Sequence, residues 1–90
     1  MAEFTKTNRD VYYANTEADS IAAQICIKKI RWVGPATAGD ILEIDNGNGE
    51  SILKAVAGTT LIDQDIDVDM WVTGLNLVDL DSGTVYIYIK

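Results

Sequence analysis

The sequence predicts an all-β fold: a small single-domain β-sandwich or barrel of about six strands, with an extended N-terminal arm over residues 1–23 and the β domain over 24–90. Three observations carry this. Apolar residues recur with a period of two along most of the chain from Gln24 onward, which is the spacing of a half-buried strand. Clusters of Gly, Asn, Asp and Ser punctuate these runs at short intervals, as turn chemistry requires. The chain has 90 residues, 48% of them hydrophobic, and a single proline; that is enough for one core and too little for two.

The elements follow in order. Gln24 to Val33 reads as a strand whose apolar phase moves from odd to even positions between Ile27 and Ile30. A one-residue phase slip implies a bulge near Lys28 and Lys29. Gly34-Pro35 ends it, because Pro35 lacks the ladder donor. Ile41 to Ile44 and Ser51 to Ala57 flank Asp45-Asn46-Gly47-Asn48-Gly49-Glu50, so they are predicted to pair as a hairpin. Gly58 to Gln64 is a connection. From Ile66 to Val72 the alternation is complete, with Ile66, Val68, Met70 and Val72 on one face and Asp67, Asp69 and Trp71 on the other. Gly74 predicts a bend. Leu75 to Leu80 and Val85 to Ile89 are read as two further strands joined in a hairpin by Asp81-Ser82-Gly83, with Gly83 free to take positive φ.

The first two dozen residues leave alternatives open. Thr16 to Gln24 fits one short helix capped by Thr16, whereas Val11-Tyr12-Tyr13 fits a strand or an extended arm. Phe4, Val11, Tyr12 and Tyr13 are apolar residues in an otherwise polar stretch. They are too sparse for a core and costly to leave in water, so an arm that is buried on a partner is expected.

Composition narrows the function. The net charge of −7 disfavours general attraction to nucleic acid or anionic membrane. No stretch approaches a membrane span, and MAEFTKTNRD has no apolar signal segment, so synthesis in a cytoplasm is expected. Cys26 is the only cysteine, which leaves no intramolecular disulfide and favours a small buried strand residue. The chain has no histidine; without that base neither general acid–base catalysis nor an activated nucleophile has an evident carrier, and no enzyme activity or catalytic residue is expected.

Two patterns invite a metal. Asp63, Asp65, Asp67 and Asp69 alternate, but in an extended chain their spacing of about 6–7 Å is too wide for one ion. Asp45 to Glu50 is like a calcium loop in composition, yet glycine stands at its third position. A solvated strand face and a plain turn are expected, with no metal and no cofactor. Gly47-Asn48-Gly49 also lacks the Lys and Ser/Thr of a phosphate loop.

The aromatic residues remain. Trp71 falls on the polar face of its strand, and Tyr86 and Tyr88 fall opposite an aliphatic face. They serve either a subunit interface or a contact within the chain, and sugar stacking is a further use of such residues. Together with Phe4, Val11, Tyr12 and Tyr13 they form the candidate interface set.

The segments Ile30-Arg31-Trp32-Val33-Gly34-Pro35-Ala36-Thr37-Ala38-Gly39-Asp40, Asp45 to Gly49, Trp71-Val72-Thr73-Gly74-Leu75 and Leu80-Asp81-Ser82-Gly83-Thr84-Val85-Tyr86-Ile87-Tyr88-Ile89 resemble small structural proteins of tailed bacteriophages. The resemblance covers roughly Lys28 to Lys90, leaves out Met1 to Gln24, and carries over no functional residue. It implies a β-rich virion component: a head decoration or cement protein that binds the major capsid protein or other virion proteins, most naturally as a homo-oligomer. A neck or tail component and a carbohydrate-binding module on the particle surface are the alternatives.

Overall fold

The structure is a computed structural model, and it describes residues 4–8, 11–15 and 19–90. The described chain is all-β: β1 (Thr5–Asn8), β2 (Val11–Ala14), β3 (Ser20–Val33), β4 (Ile41–Asn46), β5 (Ser51–Val56), β6 (Gln64–Leu80) and β7 (Thr84–Ile89). They form one antiparallel sheet of seven strands in the order β1-β2-β7-β3-β6-β4-β5. The helix considered from Thr16 to Gln24 is replaced from Ser20 onward by the start of β3, and residues 16–18 lie outside the described residues.

Two long strands organise the sheet. β3 has 14 residues and β6 has 17, and they pair along nearly their whole lengths. The second half of β3 also pairs with β7, while the second half of β6 pairs with β4. The two long strands are thus shared between two half-sheets, which close over one apolar cluster. Trp32, Ile27, Ile30, Leu42, Ile44, Leu75, Leu77, Val85 and Ile87 are its fully buried members.

Bulges set the bends. Between the pairs Ile27↔Met70 and Lys29↔Asp67, Lys28 alone opposes Val68 and Asp69, and Asp69 has φ 52°. Lys28 has no counterpart on β7 either, because Ile27 pairs with Ile89 and Lys29 with Tyr88. The phase slip read at Lys28-Lys29 therefore appears in the register on both sides of β3. At the other end, Ala22 and Ala23 oppose Gly74 alone, which takes φ +79°. A side chain at Gly74 would also meet the Gly47 Cα at 3.1 Å, where the β4–β5 turn rests on β6.

The β4–β5 hairpin forms as expected. The other expected hairpin does not: β6 runs without interruption through Gly74, and β3 lies between β6 and β7. The turn Asp81-Ser82-Gly83 carries the chain across β3 instead. Gly83 does take positive φ, +81°, but the close approach it permits is to Val33 and Trp32 of β3. Alternation along β7 specifies two unlike faces, and it contains no information about which strand lies alongside.

The described part of the N-terminal segment is extended and lies in the sheet. β2 pairs with β7 through Val11↔Tyr88, Tyr12↔Ile87, Tyr13↔Tyr86 and Ala14↔Val85. The boundary expected between residues 23 and 24 falls inside β3.

Candidate protein-binding face

Directly paired residues in an antiparallel ladder project on the same side, so the register assigns each strand residue to a face. Two rows run along the inside. Ala14, Val85, Trp32 and Gln64 form one, and Tyr12, Ile87, Ile30 and Ile66 form the next. Two rows of different chemistry run along the outside: Tyr13, Tyr86, Arg31, Asp65, and Val11, Tyr88, Lys29, Asp67. Crossing the sheet from β2 to β6 on that side, the surface passes from aromatic and aliphatic to cationic to anionic.

Contacts within the rows hold this order. The Tyr13 and Tyr86 rings stand 6.0 Å apart, tilted by 34°. The Lys29 ammonium lies 4.9 Å from the centre of the Tyr88 ring, a cation–π geometry. The Arg31 guanidinium reaches Asp63 at 3.5 Å and Asp65 at 3.7 Å. Lys90 pairs with Asp69, which raises the Lys90 pKa above its ordinary 10.5 through the hydrogen bond first and the charge second. Exposed pairs of this kind add little stability, so their larger effect is to fix the charge pattern of the face.

The seven candidate interface residues are divided by this geometry. Phe4 is buried in the core and Tyr12 packs against it. Val11, Tyr13, Tyr86 and Tyr88 share the outward face, half-buried. Trp71 is 68% exposed, opposite Cys26 across the β3–β6 ladder, and neighbouring Met70 is exposed too. Sequence reasoning overlooked Lys29 and Arg31 as members of the face. Their signal was present, since they alternate with the buried Ile30 and Trp32. It also passed over Ile62, which is 67% exposed just before β6.

The two candidate ion patterns have other engagements. The Asn46 side-chain oxygen accepts hydrogen bonds from the backbone N–H groups of Asn48 and Glu50 at 2.9 and 3.0 Å, so it closes its own turn. Asp63 accepts from the Gly34 N–H at 2.9 Å while facing Arg31. Among the described residues no three carboxylate or thiol side chains are gathered as metal ligands. A cleft lined by Phe4, Tyr12, Ser20, Ile21, Ala22 and Ala23 has Tyr12 as its only ionisable side chain, and Cys26 is buried.

No family model matches the chain, and no curated protein or solved structure is significantly similar to it. The face itself is thus the basis for a functional reading.

Proposed function

We propose that this chain is a non-enzymatic structural protein of a tailed-bacteriophage particle, attached to the capsid surface as a decoration or cement protein. The observation that carries the reading is the outward aromatic face: Tyr13, Tyr86 and Tyr88 on adjoining strands, with Trp71 68% exposed further along the sheet. Tyrosine and tryptophan anchor protein interfaces because they bury large areas at small entropy cost. Strands hold these rings on a rigid surface, so little ordering is lost on docking. With a net charge of −7, the receiving surface is basic or amide-rich. The phage assignment draws its support from the resemblance between Lys28 and Lys90.

Copy number in purified particles tests the reading. A decoration protein follows the stoichiometry of the major capsid protein. A count that follows the portal moves the assignment to the neck or tail, and absence from the particle overturns it. Glycan binding by the isolated protein would favour the carbohydrate module.

A further inference from the structure

Between Gln64 and Val68, β6 is paired on one side only. Its register with β3 is unbroken through Trp32↔Gln64, Arg31↔Asp65, Ile30↔Ile66 and Lys29↔Asp67. β4 and its turn reach β6 only from Thr73 onward; among the described residues no strand is paired along the other side of Gln64–Val68, which β5 touches at its start, where the Gln64 side-chain amide donates to the Val56 carbonyl at 3.2 Å. Alternate residues of such an edge point their N–H and C=O groups away from the sheet. Ile66 and Val68, which pack against the core from this edge, are left half-buried. Exposed apolar side chains stand at both ends, Ile62 before the edge and Met70 and Trp71 after it.

The charges decide what can fill this edge. Both outward rows end there on a carboxylate, Asp65 and Asp67. Pairing the edge with the same edge of a second copy would set carboxylate rows side by side, which is destabilising. The two outer strands of a second copy, β1 and β5, contain a single cationic residue each, Lys6 and Lys54, and not the alternating pair that two outward carboxylates call for. The geometry points to a strand-addition site for an extended segment of a different protein, with Lys or Arg at alternate positions. Such a strand continues each outward row with a cation beside Asp65 and Asp67, and its other face covers Ile66 and Val68. The same carboxylates disfavour pairing of this edge with itself and favour the basic strand. The mode is β-augmentation, in which backbone hydrogen bonds supply affinity and alternate side chains supply specificity. This inference rests on reading the chain as a protein-binding module and names the partner's chemistry.

The test uses the full chain, isotope-labelled, with a synthetic peptide of about nine residues that alternates lysine with valine and threonine, long enough to span the edge. The control peptide has the same composition with its lysines in one block. The alternating peptide is expected to slow amide exchange within residues 64–68 at least about tenfold, and the block peptide is not. Asp65→Asn combined with Asp67→Asn should weaken the alternating peptide at least about tenfold. Equal protection by both peptides, or no protection at millimolar peptide, overturns the inference. So does a peptide-free dimer whose 64–68 amides are already protected, which assigns the edge to a second copy. Shift changes confined to Tyr13, Tyr86 and Tyr88 overturn strand addition while leaving the outward aromatic face as the binding surface.

Discussion

The indole Nε1 of Trp32 donates a 2.8 Å hydrogen bond to the Ser82 carbonyl, across 50 residues of sequence. It fastens the middle of the sheet to the turn that carries β6 over to β7. The Ser82 hydroxyl extends the tie, donating to Asp40 at 2.6 Å and accepting from the Ala36 N–H at 2.8 Å. Trp32 is fully buried, so Trp32→Phe both removes core volume and orphans a carbonyl. A loss of about 2–4 kcal/mol is expected in urea unfolding followed by circular dichroism. Fluorescence offers an independent check, because Trp71→Phe leaves the buried indole with blue-shifted emission and Trp32→Phe leaves the exposed one.

Gly83 and Gly49 both have positive φ, +81° and +84°, but only Gly83 is crowded: a Cβ there would lie 2.4 Å from the Val33 carbonyl oxygen. Gly49→Ala should cost about 1 kcal/mol of backbone strain. Gly83→Ala should cost at least about 2 kcal/mol, since the turn must also move off β3. Equal losses would mean that the contact with β3 is unimportant.

Removal of Met1 to Asn15 separates two roles of the N-terminal segment. The deletion takes Phe4, Tyr12 and Ala14 from the core and uncovers Val85 and Ile87 of β7. A destabilisation of about 3–5 kcal/mol is expected from the apolar area lost, read as a lower melting temperature. Unchanged stability with lost particle binding would assign the segment to assembly alone.

The Lys90–Asp69 pair predicts a stability change at alkaline pH. The folded-state pKa of Lys90 lies above its ordinary 10.5, so the stabilisation is complete below that value and is lost as pH rises through the folded pKa. Asp69→Asn should remove this alkaline dependence and lower the neutral-pH melting temperature by the same small amount that the unsubstituted protein loses at alkaline pH, because the pair's contribution is fully present at neutral pH. Thermal melts at neutral pH and above pH 10.5 check it.

The outward face makes a prediction of the opposite kind. Trp71→Ser alters a side chain that is 68% exposed, so stability should change by no more than about 0.5 kcal/mol. If Trp71 anchors the protein on its particle, the same substitution should cost about 2 kcal/mol of binding, roughly 30-fold in affinity. Tyr88→Ser should act likewise, with a small added stability cost from the lost Lys29 contact. Co-sedimentation with particles measures both.

By itself the sequence determined what is local. The period of two named most of the strand residues from Gln24 onward, Asp45 to Glu50 named a hairpin, the phase slip at Lys28-Lys29 located a bulge, Gly74 marked a bend, and Gly83 marked a position of positive φ. Each of these follows from sterics and hydrogen bonding within a few residues. Tertiary structure decided the rest. Placing β3 between β6 and β7 is a choice among edges with equivalent backbone donors and acceptors, made by how side chains pack across the closed core. The same choice turned Phe4 and Tyr12 inward and Val11 and Tyr13 outward, and it set Arg31 and Lys29 beside the aspartates. Alternation gives every strand two faces, but only the neighbouring strands determine what those faces meet.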